Sequence, residues 1–192
     1  MADSWEILEQ ECLACTKCEL SKERKNVVFG VGDRNSKVMF VGEGPGEKED
    51  LAGEPFVGPA GQLLDKYLDA IGLHRSQVYI ANMVKCRPPF NRDPADAEMD
   101  CCIDYLRRQT RLIQPKIIVC LGRISSCRMI SPEFKVTREH GNWIKKGNFW
   151  FMGTFHPAAL LRNGNQKPEA FLDFISLRSK MRELGIWNGL DV

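Results

Sequence analysis

Four short apolar runs, rich in β-branched and aromatic residues, punctuate the chain. They are Lys37–Val41 (KVMFV), Val78–Ala81 (VYIA), Lys116–Leu121 (KIIVCL) and Phe149–Phe155 (FWFMGTF). The intervals between them are too long for hairpins and carry the period of a helix instead. Gly61–Ile71 places Leu63, Leu64, Tyr67 and Leu68 on one face; Pro94–Ile113 does the same with Met99, Ile103, Leu106 and Leu112 or Ile113. A further helix is expected from about Glu169 to Leu184, through Phe171, Leu172, Ile175 and Leu177. Strands alternating with helices imply βαβ units and a parallel sheet covered on both faces. The expected fold is therefore α/β: a three-layer α/β/α sandwich around a central, mostly parallel four-stranded sheet. No repeat, low-complexity tract or linker interrupts the pattern, so residues 1–192 read as one domain.

In such a sheet ligands bind outside the carboxyl ends of the strands. Three chemically distinct elements fall there. A glycine loop, Gly42-Glu-Gly-Pro-Gly-Glu-Lys-Glu-Asp50, follows the first strand; Asn82 ends the second; His156-Pro157 ends the fourth. The loop invites a dinucleotide-binding reading, which its charge opposes: Glu43, Glu47, Glu49 and Asp50 would repel phosphate, and Pro45 removes a backbone donor. Glycines and a proline in a tight turn instead bring backbone close to a flat ligand. Glu43, at the strand end, is the carboxylate expected nearest the reacting atom.

Composition adds bounds. A chain of 192 residues can bury roughly 70% of its unfolded surface and needs no metal to form a core. The acidic start, Met-Ala-Asp-Ser-Trp-Glu, does not resemble a secretory signal, and no uncharged apolar run would span a bilayer. A reducing, cytoplasmic setting without membrane attachment is expected. Net charge is only +2, but its distribution is uneven. Tyr105 to Arg128 holds six basic residues and no acidic one, whereas Glu43 to Glu54 holds five carboxylates and one lysine. A basic stretch beside an acidic loop suits a polyanionic substrate; a solvated helix face would give the same run.

Eight cysteines are too few for a disulfide scaffold. Cys15-x-x-Cys18 and the pair Cys86 and Cys102 bracket the two segments richest in candidate chemistry, which suggests one metal or iron–sulfur site. Four thiolates satisfy zinc equally well. Cys12, Cys101, Cys120 and Cys127 read as small buried residues, with Cys12 and Cys101 available as substitutes. His156 leads into Ala158-Ala-Leu-Leu-Arg162, and apolar wedge residues beside a phosphate-binding arginine suit a protein that opens a base stack.

Taken together these segments resemble the iron–sulfur, family 4 uracil-DNA glycosylases. The likeness runs from Cys15 to about Asn163. It covers Cys15-Thr-Lys-Cys18, the glycine loop with Val41 before it, Gly53-Glu-Pro-Phe-Val-Gly-Pro-Ala-Gly-Gln-Leu-Leu64, Tyr79-Ile-Ala-Asn-Met-Val-Lys-Cys-Arg-Pro-Pro89, Asn91-Arg-Asp-Pro94, Cys102 and Phe155-His-Pro-Ala-Ala-Leu-Leu-Arg162. The resemblance implies a structural [4Fe–4S] cluster on Cys15, Cys18, Cys86 and Cys102. It implies removal of uracil from single- or double-stranded DNA; a monomer is the default expectation, associated with the nucleoid. Glu43 and His156 would be catalytic. Gly42, Gly44, Glu49, Phe56 and Asn82 would form the base pocket, with Phe56 stacking on the ring, Asn82 reading its polar edge and Glu49 excluding a methyl at C5. Lys85, Arg87 and Arg162 would contact phosphate, and Leu160 or Leu161 would fill the vacated stack. The alternatives are a damaged-DNA-binding module without catalysis, and a glycosylase that also accepts hypoxanthine or xanthine.

Overall fold

A computed structural model describes residues 4–190; Met1-Ala2-Asp3 and Asp191-Val192, part of the expected domain, lie outside the described residues. Six strands form one sheet in the order β1-β3-β2-β4-β6-β5. They are β1 (Val31–Gly32), β2 (Val38–Gly42), β3 (Tyr79–Asn82), β4 (Ile117–Leu121), β5 (Trp143–Lys146) and β6 (Phe149–Thr154). The four central strands are the four expected from sequence, and they pair in parallel. The other two are antiparallel edges: β1 against β3, and β5 against β6. β5 and β6 form a hairpin in which Lys146 faces Phe149 and Gly147-Asn148 turns the chain. Gly147 has φ +56° there, as a tight hairpin turn requires.

The helices are α1 (Trp5–Leu13), α2 (Glu47–Ala52), α3 (Pro59–Ala70), α4 (Asp96–Ile113), α5 (Arg123–Met129), α6 (Val136–Glu139), α7 (Pro157–Arg162) and α8 (Lys167–Glu183). Alternation along each strand sends side chains to two separate cores. Phe40, Ile80, Val119 and Met152 meet Leu64 and Leu68 of α3 and Phe174 and Leu177 of α8. Met39, Ala81, Ile118 and Phe151 face the other way, against Leu106 and Ile113 of α4. Three layers follow. A third cluster packs Leu8 and Cys12 of α1 against Met99, Cys102 and Tyr105 of α4. Among the described residues no helix is long and apolar enough to cross a membrane.

The chain runs from β2 outward to β3, then returns across β2 to reach β4. That reversal makes the carboxyl ends of β2 and β4 the switch point of the sheet, where an open crevice forms.

Candidate active site

The crevice is a cavity of ≈ 610 Å³, within the size range of small-ligand sites. Every central strand contributes to it: Glu43 and Gly44 after β2, Asn82 at the end of β3, Gly122 and Arg123 after β4, Phe155 and His156 after β6. Glu49, Phe56, Pro88, Asn91, Arg92, Asp93, Ala158 and Arg162 complete most of the wall. Glu43, Glu49, Phe56, Asn82, His156 and Arg162, expected from widely separated motifs, thus meet in one place.

Two glycines make room for this convergence. A Cβ on Gly42 would lie 2.7 Å from Phe56 Cζ and closer still to Asn82 Oδ1. At Gly122 the backbone has φ +95°, and a Cβ would stand 2.8 Å from the His156 Cβ and 3.0 Å from Glu43 Oε1. Gly122 was not singled out from sequence, although its place directly after an apolar strand is the signal that finds it.

Phe56 has φ 55°, a conformation that costs an aromatic residue free energy and persists only where neighbours enforce it. The enforcement is visible on both sides. Glu49 Oε1 accepts the Val57 and Gly58 N–H groups at 3.0 and 2.8 Å. Arg75 Nη1 donates to the Phe56 carbonyl at 3.1 Å and its other nitrogen to that of Pro55. Gly61 must lack a side chain, because its Cβ would run into the Phe56 carbonyl. The ring is therefore fixed before any ligand arrives, with its centroid 5.7 Å from the His156 ring. Arg75 is a supporting residue that sequence reasoning missed.

Asn82 is buried, and its Oδ1 has no hydrogen-bond partner. A buried carbonyl oxygen without a donor is costly, and Asn82 lines the same cavity.

His156 caps α7, and its Nδ1 accepts the Ala158 N–H at 3.2 Å. With Nδ1 an acceptor, the ring proton sits on Nε2. Burial, and next the positive charge of Arg162, push its pKa down to about 4; the ring is neutral near pH 7. Behind it, Thr154 Oγ1 donates to the buried Asp173, whose carboxylate also meets His140 Nδ1 at 3.0 Å. This network anchors the end of β6 to α8 and carried no signal in the sequence.

Glu43 is half-buried. Desolvation, followed by the nearby Asp93, raises its pKa above the usual carboxylate value; Arg123, the Ile124 backbone N–H and Arg162 act in the opposite sense.

The expected phosphate contacts divide. Arg162 is exposed at the cavity rim, and Arg87 is half-buried with Nε bonded to Asn91 Oδ1 at 2.8 Å. Lys85 is a correction: it is 1% exposed, and its Nζ donates to Gln109 Oε1 at 2.8 Å inside the fold. It cannot reach a phosphate. Leu160 likewise packs into the core, which leaves Leu161 as the exposed leucine of α7.

Cys15, Cys18, Cys86 and Cys102 line one small pocket together with Cys12, Cys101, Arg24 and Lys85. Arg24 Nη1 donates to Cys86 Sγ at 3.3 Å, and the Lys85 N–H to Cys102 Sγ at 3.3 Å. Cations and backbone donors around the sulfurs are what a set of thiolates requires. Among the described residues, no three such side chains close around a point as ligands of a single ion do. Cys120 lies apart, buried in β4.

Comparison with known proteins agrees with this geometry. Residues 29–176 match the family model described as the uracil DNA glycosylase superfamily. The chain is similar to a type-4 uracil-DNA glycosylase of Archaeoglobus fulgidus, with 43% identity over 90% of each chain. It is 44% identical to the type-4 enzyme of Sulfurisphaera tokodaii, over 96% of this chain and 86% of that one. The type-4 enzyme of Thermotoga maritima is 43% identical over 82% of this chain and 83% of its own.

Proposed function

From the premise that the chain belongs to the uracil DNA glycosylase superfamily, we propose that it excises uracil from DNA as a hydrolase of base excision repair. The observation that carries this reading is the orphaned Asn82 Oδ1, buried in a cavity walled by the Phe56 ring, Glu43 and His156. Uracil has a ring N–H between two carbonyl oxygens. Asn82 accepts from that N–H, and its amide nitrogen donates to the adjacent carbonyl. Cytosine offers an acceptor where uracil has the N–H and an amine where uracil has the carbonyl, so both contacts fail. Phe56 stacks on the flipped ring. Glu49 holds the Phe56 loop and, from the same wall, crowds the C5 side where thymine carries a methyl group. Gly42 and Gly44 keep the floor open.

In the reaction the bond between the sugar C1′ and the base nitrogen breaks, and its electron pair leaves with uracil. His156 Nε2–H donates to the carbonyl oxygen on which that charge develops, and one such donor is worth ~10²-fold or more. Glu43 orients water toward C1′ and accepts its proton as the new C–O bond forms, leaving free uracil and an abasic site. Arg162 and Arg87 bind phosphates, and Leu161 occupies the gap in the stack. The enzyme acts as a monomer on single- or double-stranded DNA, in the cytoplasm at the nucleoid.

The donor set fits a [4Fe–4S] cluster: four cysteines line one pocket, with Arg24 and a backbone N–H donating to sulfur. Cys15, Cys18, Cys86 and Cys102 would hold it, and when bound it supplies a cross-link, not a reactant.

The test is release of free uracil from a uracil-containing oligonucleotide. Wild type releases uracil, and Asn82→Ala loses it by at least ~10²-fold. Tight binding of the oligonucleotide without product would favour the non-catalytic alternative.

A further inference from the structure

The turn that follows Cys86 displays an aromatic ring for which the fold has no use. Phe90 is 99% exposed. It also has φ 55° and ψ 22°, a left-handed conformation that a bulky residue adopts only at a cost. Among the described residues the other non-glycine positions with positive φ are Phe56, Asn91 and Gln114, and each has a local reason. Phe56 is clamped inside the pocket. Asn91 is of a type that tolerates the conformation, and Arg87 bonds its side chain. Gln114 closes the C-terminus of α4. Phe90 has neither burial nor a side-chain bond, and a glycine there would relieve the conformational cost.

The turn itself is stiff. Pro88 and Pro89 precede the ring, and the Asn91 and Arg92 N–H groups bond the Pro88 and Pro89 carbonyls at 3.1 and 3.2 Å. Arg92 is held bidentately by Glu98 at 2.9 and 2.6 Å. Pro88, Asn91 and Arg92 line the active-site cavity, on residues separate from α7. On its other side the turn borders a groove shared by Phe90, the exposed Leu51, Arg87, Lys25, Glu23 and Glu47. Charges of both signs line the groove, whereas the exposed apolar ring offers a stacking face to a nucleobase.

We propose that Phe90 stacks on a nucleobase adjoining the flipped uracil, making it a second DNA-contact residue that works from a different wall than Leu161. The inference rests on the reading of the cavity as a uracil site. The ligand is a base either on the uracil strand or opposite the lesion, and both offer the same π-face.

Phe90→Ala, Phe90→Gly and Phe90→Trp should be compared with wild type by uracil release and by anisotropy of labelled DNA. The substrates are single strands and duplexes in which each base beside or opposite the uracil is replaced in turn by an abasic residue. Phe90→Ala and Phe90→Gly should raise KM and Kd by about fivefold or more, with kcat within about twofold and no loss of thermal stability. Phe90→Trp should keep wild-type affinity and gain fluorescence that DNA binding quenches. Removing the one base that Phe90 covers should bring wild type and Phe90→Ala together, and which base does so identifies the strand. A Phe90→Ala Kd within about twofold of wild type on every substrate overturns the proposal. So does a difference that survives removal of each neighbouring base. If wild type releases no uracil yet Phe90→Ala still weakens binding, the stacking contact stands and the proposed reaction falls.

Discussion

Protonation of His156 separates two ways in which the proposed reaction could stabilise a departing base, and burial of the ring favours the neutral one. With a pKa pushed down to about 4, one molecule in ~10³ carries an imidazolium at pH 7. Catalysis by that minor form would make the rate climb about tenfold for each pH unit of acidification from 8 toward 5. Catalysis by the neutral Nε2–H donor predicts no such climb. Glu43 must be ionised to accept the water proton, and its raised pKa places an acid limb above the ordinary carboxylate range. The expected profile of single-turnover uracil release is therefore a plateau at neutral pH that falls on the acid side. Substitution sharpens the distinction. His156→Ala removes the donor, at a cost of ~10²-fold or more in kcat, and also the cap on the Ala158 N–H, about 1 kcal/mol of stability. His156→Asn restores a neutral N–H donor and a good helix cap, so it should recover part of the activity and most of the stability. A rate that rises tenfold per unit below pH 7, or an asparagine variant as inactive as alanine, refutes the neutral-donor mechanism.

Other expectations concern individual features of the site. The unfolded chain protonates His156 near pH 6.5 and the folded one only near about 4, so stability should fall as pH drops between those values, which urea titrations at several pH values will read. Gly122→Ala forces a side chain into φ +95° against His156 and Glu43; it should lower Tm, cost about 1–2 kcal/mol, and reduce kcat more than it raises KM. Arg162→Ala should reduce the slope of log Kd against log salt by about one phosphate contact. Lys85→Met should leave that slope unchanged in the folded variant, because Lys85 Nζ is bonded to Gln109 inside the fold. Cys86→Ser should remove iron and the absorption near ~400 nm and lower Tm, whereas Cys120→Ser in β4 should retain both.

The central strands and the long helices were legible because each buries a continuous apolar face, and that burial is written into residue order. The four expected strands recur within a residue or two of their predicted limits, and α3, α4 and α8 sit where the helical period placed them. The edges were not legible. β1 has two residues and exists only because β3 offers a partner. β5 reads Trp-Ile-Lys-Lys, half polar because one edge faces solvent, although the Gly147-Asn148 turn beside it is a hairpin signal. Burial separated side chains that sequence treats alike. Leu160 and Leu161 are neighbours of equal hydropathy, yet a short helix turns the first into the core and the second outward. Lys85 looked like a phosphate ligand because charge usually means surface; its partner, Gln109, lies on a helix that only tertiary structure brings near.

The cysteine pocket and the cavity walled by Asn82 and Phe56 are joined by short covalent and hydrogen-bonded paths, which would give the proposed cluster a role beside a sheet that already has two cores. Cys86 is followed directly by Arg87 and Pro88, and Pro88 lines the active-site cavity. On the other side, Arg24 bonds Cys86 Sγ, and the next two residues bind α2: Asp50 accepts the Lys25 N–H at 2.9 Å and the Asn26 N–H at 3.2 Å, while Asn26 Nδ2 donates to the Asp50 carbonyl at 2.8 Å. α2 carries Glu49, and Glu49 holds the loop that presents Phe56. A cross-link among Cys15, Cys18, Cys86 and Cys102 would therefore restrain both the Pro88–Asn91 turn and, through residues 24–26 and α2, the stacking ring. Loss of the thiolates should then loosen base recognition before it unfolds the sheet. KM for uracil-DNA should rise in Cys86→Ser at temperatures where far-UV circular dichroism is still native. Loss of KM and of secondary structure at the same temperature would instead mean that the cluster supports the whole fold and has no particular bearing on the site.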